Sequence, residues 1–220
     1  LNPIKWRDAI TANGIPALLK GSDSSNGPFK RSLIFPNAYG NVLEVGAGTG
    51  MTLKYYNVDK INHIYLMEPC VELHDELRRS IAAIPALKDK TTILSCGIED
   101  RKDLEKAGVF PGTIDTICLV QVLCSIHEPE KHIAMLHSLL KSGGQLLLFE
   151  HVISLDPITI IIQKSFTSLI WKHVAGNCHL TRDPSKMFSV QAGWKNVSLT
   201  KPKGEGGQDL FPHQVAQYLK

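Results

Sequence analysis

The segment Asn41-Val42-Leu43-Glu44-Val45-Gly46-Ala47-Gly48-Thr49-Gly50 decides how the rest of this chain is read. A short apolar run carrying one acid passes directly into three glycines at alternate positions. The run reads as a buried strand, and the glycines as a sharp turn into the next element. Glycines so spaced let the backbone take angles closed to other residues and come close to a ligand. Outward from this segment, strand-like runs recur at 63–67, 91–96, 116–120 and 145–150. Helical patterns fall between them at 51–56, 71–82, 101–106 and 130–140, the last closed by Gly143-Gly144. Short apolar runs alternating with helices predict an α/β fold with a parallel sheet covered on both faces. The tail breaks the rhythm: 194–200 and 213–219 read as two strands joined by a Gly/Pro-rich loop, predicting an antiparallel C-terminal hairpin.

With 220 residues, 43% of them hydrophobic, the chain suits one substantial core. A net charge of +3, scattered along the sequence, gives no basic footprint for nucleic acid, so none is expected as partner. The five cysteines are widely spaced and show no C-x-x-C pair, which leaves no metal site to propose and favours a reducing, cytoplasmic setting. The chain opens on Leu1 rather than methionine, so residues before it are expected; no signal peptide or spanning segment is visible. Residues 1–40 read as an N-terminal cap, helical around Trp6–Ile10 and a turn-rich loop over 21–28.

The glycine loop points to one class of cofactor. A dinucleotide fingerprint is G-x-G-x-x-G, and here Met51 stands where it requires glycine. Glu44, just before the loop, would repel a pyrophosphate but suits a cofactor with a cationic amino group and a sulfonium. The expected cofactor is therefore S-adenosyl-L-methionine. Its predicted contacts are Glu44, Gly46, Ala47, Gly48 and Gly50, then Glu68 at the end of the second strand, where a carboxylate reaches ribose hydroxyls. Pro69 shapes the turn that follows. Gly97, Ile98 and Glu99 are placed to border the adenine, although Glu99 and Asp100 equally suit the N-terminus of the next helix. Val120, Gln121 and Cys124 complete the predicted lining. Five parallel strands and a terminal hairpin match the Rossmann-like sheet of class I methyltransferases.

Three later motifs narrow the branch. Val122-Leu123-Cys124-Ser125, Leu139-Leu140-Lys141-Ser142-Gly143-Gly144 and Phe149-Glu150-His151-Val152 resemble the methyltransferase-like seven family of thiol S-methyltransferases. The similarity resumes at Trp171-Lys172-His173-Val174 and Gly176-Asn177-Cys178-His179-Leu180-Thr181-Arg182, and ends with Pro212-His213 and Lys220. It covers residues 40–220, with Ser142 where the family has proline and Asn177 where glycine is common. The resemblance implies methyl transfer to a small thiol. It also brings an N-terminal membrane anchor in animal members, which is not visible here and leaves the cytosolic face of a membrane as a second setting.

Methyl transfer is an in-line displacement that asks the protein for alignment and for removal of a proton. His151, at the mouth of the fifth strand, is the first candidate base, followed by His173 and His179. The insertion at about 154–182 carries Ile158, Ile161, Ile162, Phe166, Leu169 and Ile170 at helical spacing. It is expected to act as a lid that also closes the core, with peripheral membrane contact as the alternative. The domain proper runs over 41–220. Methyl transfer to oxygen or nitrogen, or cofactor binding without catalysis in an interaction protein, are the competing functions, and the sequence leaves the oligomeric state open.

Overall fold

The computed structural model describes residues 3–191 and 193–220 and gathers the apolar runs into one sheet. Its strands are β1 (Gly40–Val45), β2 (Ile61–Met67), β3 (Thr91–Leu94), β4 (Ile114–Val120), β5 (Leu140–His151), β6 (Lys195–Thr200) and β7 (His213–Leu219). They lie in the order β3-β2-β1-β4-β5-β7-β6. The first five are parallel, while β7 runs antiparallel to both β5 and β6. The sheet is thus the expected class I methyltransferase arrangement with an antiparallel C-terminal pair.

Side chains alternate across a strand, so neighbours serve opposite faces. Leu43, Leu146 and Leu148 enter one core cluster, and Val42, Leu147 and Phe149 enter the other. All six are fully buried. That two-sided burial is why these strands read as near-continuous apolar runs.

The helices are α1 (Pro3–Asn37), α2 (His74–Ala82), α3 (Pro85–Lys88), α4 (Arg101–Lys106), α5 (Glu130–Leu139), α6 (Pro157–Phe166), α7 (Lys172–Val174) and α8 (Pro184–Ser189). Four local expectations are corrected. The helix expected over 51–56 shrinks to a single 3-10 turn, Leu53–Tyr55, because Thr52 and Tyr56 are drawn inward onto Glu44. Gly143-Gly144 does not cap α5, which ends at Leu139 with Leu140 already extended. The Lys220 ammonium caps it instead, donating to the carbonyls of His137 (2.8 Å) and Leu140 (2.6 Å), a favourable place for a cation.

The turn-rich stretch 21–28 is not a loop but the middle of α1. Ser24 and Ser25 turn their hydroxyls back onto the carbonyls of Gly21 and Ser22, so these residues satisfy their side chains without leaving the helix. Tertiary contacts hold the segment down. Asp23 is buried between Lys30 Nζ (3.2 Å), Lys54 Nζ (2.5 Å) and the Tyr55 hydroxyl (2.9 Å). Gly27 has no room for a Cβ against the Tyr55 hydroxyl, which lets the helix lie close.

The insertion is helical as its spacing requires, with a π turn at Thr167–Trp171 joining α6 to α7. Its faces are reversed from the expected closure of the core. Thr159, Gln163 and Thr167 face inward, and Gln163 satisfies Ser154 N–H and the carbonyls of Val152 and Leu210. Ile158, Ile161, Ile162, Leu169 and Ile170 face out, 50–74% exposed. Phe166 alone of the six predicted apolar positions turns partly inward, onto the cluster of Cys124, Ala175, Cys178 and Leu180.

Candidate active site

Strand order fixes where a ligand sits. β1 and β4 are neighbours whose connections leave in opposite directions, and the crevice outside their carboxyl ends is the switch point of the sheet. The glycine loop leaves β1 there. Gly46 and Ala47 donate their N–H groups to the Met67 carbonyl at 2.8 and 3.0 Å, which ties the loop to β2. Gly46 has φ 69° and lies so close to Val122 that any Cβ would overlap its side chain. The sequence pattern predicts a close approach of this backbone to a ligand; at Gly46 the neighbour that fills the space is the Val122 side chain.

The two predicted acids are both buried at the loop. Glu68 accepts from Gly48 N–H and Cys70 N–H, each at 2.8 Å, so its two oxygens brace the loop from the end of β2. Burial raises its pKa, and the two N–H groups oppose the rise. Glu44 accepts from the hydroxyls of Thr52 and Tyr56, the latter at 2.8 Å. Burial lifts its pKa to about 7 against those two hydrogen bonds. A cation seated beside it would favour the carboxylate and reverse part of that lift. The two carboxylates at the ends of β1 and β2 fit a cofactor with a cationic amino group and ribose hydroxyls, as S-adenosylmethionine has, and would repel a pyrophosphate.

Among the residues expected to border the adenine, Ile98 is buried and Glu99 is exposed like its neighbour Asp100, while Pro69 lies at the surface beyond β2. Gly97 leaves no room for a Cβ beside the Glu99 carboxylate. Asp100 accepts from Gly97 N–H at 3.0 Å and makes no side-chain cap to α4.

Gln121 joins this half to the other. It follows Val120 at the end of β4 with φ 56°, a left-handed angle uncommon outside glycine. Its amide nitrogen lies 2.9 Å from Ser22 Oγ of α1 and 3.4 Å from His151 Nε2 of β5. Its Oε1 is buried without a partner. Beside it, Glu150 Oε1 accepts from the N–H groups of Val122 and Leu123 at 2.8 Å, which fixes the chain that carries Cys124. Burial pushes the Glu150 pKa to about 7, opposed by those N–H groups.

His151 sits where the last residue of β5 meets the first of β7. The antiparallel register places it opposite His213, and the two rings stand 4.4 Å apart. Burial, then the neighbouring His213 and Lys30, pull the His151 pKa down to about 3, so its imidazole is neutral. Glu205 Oε1 lies 2.6 Å from His213 Nδ1, and Phe149 stacks on the same ring. Phe211 meets His151 edge-on and continues to Phe166 and Trp171, an aromatic wall beside the histidines. Cys124 and Cys178 are buried behind that wall as free thiols. Their mutual hydrogen bond raises Cys124 well above the ordinary thiol range and lowers Cys178.

Of the three predicted histidines, only His151 lies in this group. His173 is exposed on α7, and His179 pairs its ring with Asn177 Oδ1 at 3.3 Å while its N–H holds the Cys124 carbonyl at 2.8 Å. Sequence reasoning missed Ser22, Lys30, Glu205 and His213. Lys30 is almost wholly buried, with Nζ 5.7 Å over the Phe149 ring. Burial lowers its pKa, and Asp23 opposes the fall. The available signal for His213 was the matching length of 145–151 and 213–219: pairing these two strands antiparallel, end to end, sets the two histidines across from each other.

Comparison with known proteins places this geometry. A family profile described as a methyltransferase domain matches residues 19–193. Thiol S-methyltransferase TMT1B of Rattus norvegicus is 29% identical over 160 residues, covering 70% of this chain and 62% of the relative. Thiol S-methyltransferase TMT1A of Homo sapiens is 24% identical over 164 residues, covering 74% and 64%. The chain thus spans less than two thirds of either relative's length. Among solved structures, a SAM-dependent methyltransferase of Leishmania major superposes with a TM-score of 0.66 at 16% identity, over 99% of this chain and 81% of that one.

Proposed function

The chain belongs to the methyltransferase domain family, and from that premise we propose that it moves a methyl group from S-adenosylmethionine to a small apolar acceptor, thiol sulfur first. One observation carries the reading: His151, 3.4 Å from the Gln121 amide at the end of β4, opens an aromatic wall of Phe211, Phe166 and Trp171, while the next residue along, Val122, packs on Gly46 of the glycine loop. An apolar wall with a few convergent polar groups suits a small hydrophobic ligand. The likeness to thiol S-methyltransferases supports sulfur over oxygen or nitrogen.

Glu44, Gly46, Ala47, Gly48, Gly50 and Glu68 would hold the cofactor, with Pro69, Gly97, Ile98 and Glu99 around its base and Val120, Gln121 and Cys124 toward the acceptor. Bound there, it supplies a methyl group already activated on a sulfonium. What remains for the chain is to exclude water, align the nucleophile and accept its proton. His151 is the nearest candidate to meet the nucleophile, ahead of His173 and His179. α1 serves as the cap over the site, and residues 154–182 as a lid on its acceptor side. Incubation with S-adenosylmethionine labelled in its methyl group, against a panel of thiols, phenols and amines, tests the reading by mass spectrometry. Labelled thioether is the expected product. Cofactor binding without product across the panel would favour a non-catalytic binding protein.

A second contact follows from the reversed faces of the insertion. Outward Ile158, Ile161, Ile162, Leu169 and Ile170, with Lys164 and Lys172 and no acid between 157 and 182, support peripheral adherence to an anionic membrane surface. Among the described residues no helix is long and apolar enough to cross a membrane. The five free thiols favour a reducing setting, so the adherence would be to a cytosolic face. Liposome flotation with anionic vesicles should carry the protein upward. Failure to float would remove this contact.

A further inference from the structure

We infer that Glu205 and His213 form the proton acceptor of this site, with His213 Nε2 taking the proton from the incoming thiol and Glu205 holding the ring in place. The inference rests on the methyl-transfer reading above and names a residue pair which that reading does not use.

Three features of geometry carry it. First, Glu205 grips one residue with both oxygens: Oε1 lies 2.6 Å from His213 Nδ1, and Oε2 accepts the His213 backbone N–H at 2.6 Å. A carboxylate at Nδ1 keeps the ring proton there and leaves the lone pair on Nε2, the orientation a general base requires. Second, Nε2 of His213 is buried without a partner, and so is Nδ1 of the adjacent His151. A buried polar atom left unmatched is costly unless a ligand pairs with it. Two such atoms on rings 4.4 Å apart mark a place kept for a polar group of a ligand. Third, the aromatic wall begins at His151, so an apolar acceptor lying along Phe211 and Trp171 has its polar end at the histidine pair.

The surrounding charges support His213 over His151. Glu205 and Asp209 face His213 as acids, Lys30 is the basic group near it, and His151 is neutral beside it. Burial lowers the His213 pKa, and the Glu205 hydrogen bond opposes that fall. His151 has no carboxylate to oppose the same burial. The step balances without any further reagent. The S–H bond of the acceptor breaks, its proton moves to His213 Nε2, and the electron pair stays on sulfur as the thiolate. The imidazolium that results is paired with the Glu205 carboxylate and releases the proton to solvent when product leaves.

The test compares two acceptors on the intact protein. Hexanethiol is protonated near neutral pH and needs a base, whereas para-nitrothiophenol is already ionised and does not. His213→Gln should lower kcat on hexanethiol about 100-fold, the usual scale of a lost general base, and lower it far less on para-nitrothiophenol. Glu205→Gln should show the same selectivity to a smaller degree. Affinity for S-adenosylhomocysteine, measured by calorimetry, should stay within about twofold in both variants, since a change of that size is only about 0.4 kcal/mol. Equal losses on the two thiols, with wild-type turnover of both, would overturn the proton-acceptor role and leave thiol methylation standing. No wild-type product from either thiol would overturn the thiol reading and this inference with it. Should His213→Gln fail to fold, Glu205→Gln decides by the same ratio of losses.

Discussion

The glycine loop at the end of β1 and the histidine pair at the end of β5 flank a single strand, β4, yet they are built in opposite ways. The loop is contiguous. Seven consecutive residues, 44–50, carry its acid and its glycines, and one further acid, Glu68, braces it. The histidine site draws on α1, β4, β5, the loop before β7 and β7 itself, through Ser22, Lys30, Gln121, His151, Glu205 and His213. A contiguous site is set by local backbone geometry. A dispersed one is set by strand register and helix docking, so it changes with any of several elements while the loop stays the same. That difference lets one cofactor half serve many acceptors.

Substitutions in each half should therefore fail differently. The largest effect is expected at Gly46→Val, where φ 69° and the contact with Val122 both forbid a side chain. Backbone strain of about 1–3 kcal/mol and overpacking of about 1–3 kcal/mol add there. Calorimetry should find no cofactor binding, and binding as in wild type would break the first half of the comparison. Next is Asp23→Asn in α1. Lys30, its side chain only 4% exposed, would lose its carboxylate, and breaking a buried pair costs about 3–5 kcal/mol. Burial alone would raise the Asp23 pKa; the hydrogen bond from Lys54 and the charge of Lys30 outweigh it and hold it low, so the carboxylate is charged at neutral pH. Denaturant unfolding should show the loss, and an unchanged midpoint would mean that α1 is not held by this cluster.

His151→Ala should reduce methyl transfer by less than His213→Gln does, since it removes the ring packed on His213 and not the proton acceptor itself, and should leave S-adenosylhomocysteine affinity unaltered. Equal turnover in the variant would take His151 out of the acceptor half. The smallest effect concerns pH. Glu150 has its pKa raised from 4.5 to about 7, so between those values the folded chain holds a proton that the unfolded chain has released. Its contribution is fully present below 4.5 and is lost as pH rises through about 7, by at most about 3 kcal/mol. Glu150→Gln removes that loss while keeping an oxygen for the Val122 and Leu123 N–H groups. Melting temperatures compared between about pH 5 and about pH 7 should show the variant gaining on wild type as pH rises. No change in that difference would place the titration elsewhere.

The same contrast explains what was legible in the sequence. Strands such as Ile61–Met67 and helices such as Arg101–Lys106 follow from period and propensity, and Gly46 announces its positive φ. Segment 21–28 misled because its serines, glycines and Pro28 favour turns, whereas Asp23 and Gly27 are chosen for contact with Lys54 and Tyr55, which lie about thirty residues away. α6 misled because helical spacing reveals that a stripe exists and not which way it faces; Gln163 takes the inward side by satisfying three backbone groups. His213 stayed hidden because its partner Glu205 precedes it across a loop and His151 meets it only through register.

The most direct test of the account is where an acceptor lands. The imidazole resonances of the nine histidines can be followed by NMR as an apolar methyl thioether is titrated into the protein with S-adenosylhomocysteine bound. The account predicts that His151 and His213 shift together, while exposed His127 stays still. Shifts confined to other histidines, or none at the pair, would contradict it.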